Sequence, residues 1–172
     1  MYCRHNIRKR ATTCGSTATR PKAARDPRRC VKKMINEILN HRKILSFTIH
    51  EKDNCSLSLS SGYSLSIECL VRFVGGNNVF ACANDHGHQF GLSVPFDSEN
   101  KIQKAIANQE IADIEFNKST GDLNLYFSSG VLQIICNSAG YENYQINGPD
   151  GLLIIIHGGK QLDTQPANTA DR

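Results

Sequence analysis

The sequence predicts an α+β domain. Its expected core is a meandering antiparallel sheet, strongly curved or barrel-like, with one main helix and a possible internal duplication. Three observations predict this. Short runs of alternating apolar and polar residues recur between residues 44 and 157, the period of half-buried strands. Turn clusters such as Ser60-Ser61-Gly62, Gly75-Gly76-Asn77-Asn78, Ser128-Ser129-Gly130 and Gly148-Pro149-Asp150-Gly151 separate the runs. A sizeable helical stripe (Ile102, Ala105, Ile106) follows Pro95.

The chain has 172 residues, enough for one domain with a hydrophobic core. No apolar run approaches the length that spans a bilayer; the longest, residues 152–156, is strand-sized. The net charge of +4 is split unevenly. Residues 1–33 hold eleven Lys or Arg against one acid, a net +10; residues 34–172 hold nine against fifteen, a net −6. The expected organisation is a disordered basic extension (1–33), a single domain (34–160) and a polar tail (161–172).

The extension is rich in Arg, Thr, Ala and Pro and poor in aliphatic residues, so it cannot offset the entropy of folding. It has three readings: a nucleic-acid-binding arm, an organellar transit peptide, or an upstream extension foreign to the native protein, with Met34 as the true start. The third is favoured. Seven cysteines without a Cys-x-x-Cys pair, and no apolar signal-peptide core, point to reduced thiols and a cytoplasmic setting.

Residues 34–42 are expected to form a short helix with Ile35, Ile38 and Leu39 on one face. Residues 44–50 and 55–59 alternate as strands, and residues 63–74 read as one long strand with Leu65, Ile67, Cys69, Val71 and Phe73 on its inner face. Weaker strands are expected at 79–83 and 89–94. Asp97 or Ser98 caps a helix at 97–108, and strands follow at 111–117, 123–127, 131–136, 141–146 and 152–157. Tyr144 is expected to be a core aromatic with a wet hydroxyl. Phe47, Cys55 to Leu59 and Ser60-Ser61-Gly62 echo Ile114, Leu123 to Phe127 and Ser128-Ser129-Gly130, the basis for a duplicated three-strand motif.

Asp85, His86 and His88, with Cys82 nearby, form the only cluster of ligand residue types. Two His one residue apart on a strand point the same way and could share a metal, but no second ligand pair stands at a supporting spacing. Exposed histidines on a polar loop are the preferred reading, so no metal, cofactor or catalytic residue is assigned. Alternation in 111–117 sends Ile114 and Phe116 inward and Asp113 and Glu115 outward; in the next strand it sends Asn124 and Tyr126 outward. Asp113, Glu115, Asn124 and Tyr126 are therefore the candidate binding residues, one acidic patch with an aromatic.

Residues 125–136, Tyr141-Glu142-Asn143-Tyr144, Gly148-Pro149-Asp150-Gly151 and Gly158-Gly159 carry a resemblance. They resemble the end of small bacterial β-rich domains of uncharacterised function, which close with a Tyr-Glu-x-aromatic strand, a Gly-Pro-Asp-Gly turn and a Gly-Gly pair. Here Tyr144 stands where Trp is usual. Such domains are similar in size and character to immunity proteins of bacterial toxin systems, a likeness of fold and not of site. The resemblance implies a non-enzymatic protein-binding module, an immunity-type inhibitor of a basic toxin or nuclease. The alternatives are a hydrolase or small-ligand domain using the Cys82–His88 region, and nucleic-acid binding through the basic tail.

Overall fold

The computed structural model describes residues 27–51, 54–158 and 162–165. The expected extension falls outside these residues as far as position 26, and most of the expected C-terminal tail falls outside them too.

Helix α1, Pro27–Leu39, opens the described chain and buries Ile35, Ile38 and Leu39. It begins at Pro27 rather than at residue 34. Pro at the first helical position presets φ, and the Lys and Arg that follow are good helix formers, so the helix continues where no apolar stripe marks it. Three strands follow as a meander: β1 (Ile44–Glu51), β2 (Asn54–Leu59) and β3 (Ser64–Ile67), with Ser60-Ser61-Gly62 turning between the last two. Then come β4 (Leu70–Gly75) and β5 (Asn78–Cys82), a hairpin. The second half repeats this order. Helix α2 (Ser98–Ile106) is capped by Asp97, whose side chain accepts the Asn100 amide at 3.0 Å. A meander of β6 (Asp113–Phe116), β7 (Leu123–Phe127) and β8 (Gly130–Ile135) follows, turning at Ser128-Ser129-Gly130. A hairpin of β9 (Glu142–Asn147) and β10 (Leu153–His157) ends the repeat, and β11 (Leu162–Gln165) adds to its edge.

The two halves exchange their hairpins. One sheet has the order β1-β2-β3-β9-β10-β11, the other β5-β4-β8-β7-β6. Each meander thus carries the other half's hairpin beside its third strand. All these pairings are antiparallel, and neither sheet closes into a barrel. The expected long strand over 63–74 is instead two strands in different sheets. The chain leaves the first sheet at Glu68, whose amide is given to the Asn143 carbonyl at 2.8 Å, and enters the second at Leu70. Periodicity hid the break because the inner-face residues keep alternating across it.

The core forms where the inner faces and the helices meet. Leu57, Leu65, Val71, Phe73, Leu125, Leu132, Tyr144, Ile146 and Ile156 are buried together with Ile35, Leu39, Ile102 and Ile106. Helix α2 also guards an edge: Gln103 Oε1 accepts the Phe47 amide at 2.5 Å and Glu99 Oε2 accepts the Ile49 amide at 2.7 Å, so β1 presents fewer free amides to another strand. Gly130 is required by space: a Cβ there would stand 2.2 Å from the Val74 carbonyl oxygen, at a φ of 149°.

Candidate functional site

The outer face of the five-stranded sheet carries an ordered row of polar side chains. Alternation puts Ile114 and Phe116 in the core and leaves Asp113 and Glu115 exposed on β6. Register sets Glu115 opposite Asn124, Asn124 opposite Gln133, and Gln133 opposite Arg72. These side chains form a continuous chain of hydrogen bonds across β6, β7, β8 and β4. Arg72 Nε donates to Gln133 Oε1 at 2.8 Å, Gln133 Nε2 to Asn124 Oδ1 at 3.3 Å, and Asn124 Nδ2 to Glu115 Oε2 at 3.1 Å. Tyr126 Oη donates to the same Glu115 oxygen at 2.8 Å. Every donor points toward the carboxylate, so the row is polarised from a guanidinium to an anion. It lines a shallow depression of about 220 Å³ that also includes Asn117 and Asp122.

The electrostatics follow from these contacts. Hydrogen bonds from Asn124 and Tyr126 hold the Glu115 carboxyl below its ordinary value, with a smaller contribution from Lys32 of α1. Tyr126 moves the other way, because its hydroxyl proton is engaged by Glu115. Glu115 is therefore an exposed, ionised carboxylate in a fixed position. One of its oxygens accepts both bonds, and the second is outside this network.

All four candidate residues share this face. Asp113 lies opposite Tyr126 but stands outside the chain of bonds: its Oδ1 accepts the amide of Ile114 at 2.8 Å. It occupies an amide on the edge strand while adding charge to the face. Arg72, Gln133 and Asp122 complete the site and were not singled out by sequence. Alternation marks Arg72 as outward, but only the exchange of hairpins places β4 beside β8 and so Arg72 beside Gln133. Asp122 accepts the Cys136 amide at 2.8 Å and the Thr120 hydroxyl at 2.6 Å, holding the end of the depression.

The outer face of the other sheet is chemically different. There Ser46 lies opposite Ser58 and Ser58 opposite Ser64; Thr48 lies opposite Ser56, Ser56 opposite Ser66, and Ser66 opposite Gln145. These rows carry small hydroxyl groups as far as Gln145, whose amide donates to the Glu142 carboxylate at 2.5 Å.

The Cys82–His88 region does not assemble a ligand set. Residues 83–85 form a short 3-10 turn and a loop follows, so His86 and His88 do not share a strand face; the expected strand at 89–94 is also loop. His86 Nδ1 accepts the Glu99 amide at 3.4 Å and lies 3.7 Å from Asp97 Oδ1. The His88 ring stacks on Phe90 with centroids 5.3 Å apart. Among the described residues no group of three or more His, Cys, Asp or Glu is placed to hold a metal ion. No described helix is long and apolar enough to cross a membrane.

Two buried polar groups depart from expectation. Alternation in residues 141–146 sets Asn143 on the face opposite the core residue Tyr144, yet Asn143 is buried as well, and its amide ties down the loop before β9. The Tyr144 hydroxyl is dry rather than wet: it donates to the Gly121 carbonyl at 2.8 Å, and burial pushes its pKa well up. That bond fixes the turn joining β6 to β7, hence the relative position of Glu115 and Asn124. The chain matches no protein-family model, no curated protein and no solved structure.

Proposed function

We propose that this chain is a non-enzymatic protein-binding module, an immunity-type inhibitor that docks a basic toxin or nuclease on the outer face of its five-stranded sheet. The observation that carries the reading is the row Arg72–Gln133–Asn124–Glu115, hydrogen-bonded across four strands and ending in an ionised carboxylate. Side chains already held in place lose little freedom when a partner arrives, which lowers the cost of binding. Glu115, Asp113 and Asp122 offer acceptors to Lys or Arg side chains, and Tyr126, opposite Asp113 and bonded to Glu115, offers an aromatic anchor at one end of the row. The net −6 of residues 34–172 favours a basic partner at long range. The serine and threonine rows of the other sheet lack this charge, so the two faces are distinguishable by experiment.

The test compares three immobilised chains: the parent, a double variant with Asp113→Lys and Glu115→Lys, and Ser66→Lys on the opposite sheet. A basic protein from the source cell should be retained by the parent and by Ser66→Lys and lost by the double variant. Its toxic or nucleolytic activity should then fall to zero at one equivalent of the parent chain. Equal retention by all three chains, or full activity of the retained protein in the complex, would refute the reading.

A further inference from the structure

We propose that Cys69 and Cys136 are a thiol pair that oxidises to a disulfide, joining the two places where the chain changes sheets. Cys69 lies in the passage from β3 to β4, and Cys136 lies at the start of the passage from β8 to β9. They occupy equivalent points in the two halves. Leu70 of β4 lies opposite Ile135 of β8 in an antiparallel pair, so one further step sets Cys69 opposite Cys136. Directly opposed residues of antiparallel strands have Cα atoms about 4.5–5.5 Å apart, within the roughly 4.4–6.8 Å that a disulfide spans. The two thiols are hydrogen-bonded to each other, and both are reduced. The Cys136 amide is given to Asp122 Oδ1 at 2.8 Å and not across to Cys69. That is the pattern of a non-hydrogen-bonded pair, in which opposed side chains lie closest.

The surroundings assign the order of reaction. Cys69 is 0% exposed, and its bond to Cys136 together with burial keeps its thiol protonated, a poor nucleophile. Cys136 is half-buried, beside Gly121, so it is the more accessible of the two to a small oxidant. The oxidant is a hydroperoxide. With hydrogen peroxide, the Cys136 sulfur attacks one oxygen, the O–O bond breaks, and Cys136 sulfenic acid and water form. The Cys69 sulfur then attacks the sulfenic sulfur; the S–S bond forms, the S–O bond breaks, and hydroxide leaves with the Cys69 proton as a second water. Two thiols lose two electrons and two protons, and one peroxide becomes two waters. The pair's chemistry does not depend on whether the outer sheet face binds a partner.

The full chain, treated with hydrogen peroxide and alkylated, is digested without reduction by trypsin and a glutamate-specific protease. The latter cuts after Glu68 and so separates Cys55 from Cys69. The expected product is a cross-linked pair of peptides holding Cys69 and Cys136. The oxidised chain should melt about 10 °C higher than the reduced chain, the expected scale for closing a long loop. Dithiothreitol should reverse the rise, and Cys136→Ser should show neither the cross-link nor the rise. A Cys55–Cys69 bridge would overturn the proposal, as would Cys136 sulfinic acid with Cys69 still alkylatable, or an unchanged mass. Should Cys136→Ser fail to fold, the peptide map of the parent chain decides alone.

Discussion

Replacing Asn143 with Ala removes a side chain that is 0% exposed and makes four hydrogen bonds. Its Oδ1 accepts the amides of Asn137 and Ser138 at 2.9 and 3.1 Å. Its Nδ2 donates to the carbonyls of Ser138 and Tyr141 at 2.9 and 3.3 Å. At about 0.5–1.5 kcal/mol net for each bond, the upper limit is about 6 kcal/mol. The 3.3 Å bond is long and contributes least. Asn137 and Tyr141 are exposed, so water replaces part of what their backbone groups lose. A loss of about 2–4 kcal/mol remains, and for a chain of this size each kcal/mol lowers Tm by roughly 2–4 °C. Thermal and urea melts of Asn143→Ala should therefore show Tm reduced by roughly 5–15 °C with an unchanged urea m-value, because the same surface is exposed on unfolding. The loop before β9 should also gain amide exchange. A variant that melts within about a degree of the parent would mean that Asn143 does not organise this loop, and the account of the β8–β9 passage would fail with it.

Two further predictions concern the sheet face. Tyr144→Phe leaves the buried Gly121 carbonyl without its donor and should cost about 1–2 kcal/mol, read as a fall in Tm of roughly 3–6 °C. No change would place the hydroxyl elsewhere. The Glu115 pKa is depressed on folding, so its stabilisation is complete above the unfolded value of about 4.3 and lost as pH falls through the folded value. The Tyr126 pKa is raised, so its contribution is complete below about 10 and lost as pH rises through the folded value. Melts of the parent against Glu115→Gln should thus differ by a constant amount between about pH 5 and pH 9, and a difference that changes near pH 7 would contradict the network.

Much of the architecture was legible because strand alternation and helix capping are local. The inward set Ile114, Phe116, Leu123, Leu125 and Phe127 follows from period two, and Asp97 marks the start of α2 through its side chain. Asp113, Glu115, Asn124 and Tyr126 fall on one face for the same local cause, since a short turn makes β6 and β7 neighbours. The exchange of hairpins is not local. Nothing local tells β4 to leave β3 and pair with β8, and the unbroken alternation from Leu65 to Phe73 argues for one strand. Arg72 and Gln133 were therefore visible as outward residues but not as partners. The burial of Asn143 was not legible because a buried amide satisfied by its own loop has no periodic signature. The start of α1 was missed because helix propensity without an apolar stripe leaves no face to read.

The central claim is that the bonded row on β4, β8, β7 and β6 is the docking face, and association kinetics test it most directly. Asp113→Asn with Glu115→Gln removes two charges while keeping carbonyl acceptors for Ile114, Asn124 and Tyr126. With the retained basic partner, this double variant should keep the parent's Tm within a few degrees, and its association rate should fall about tenfold at low salt. It should also lose most of its dependence on ionic strength, because the steering charges are gone. An association rate and salt dependence equal to the parent's would place the interface elsewhere on the molecule.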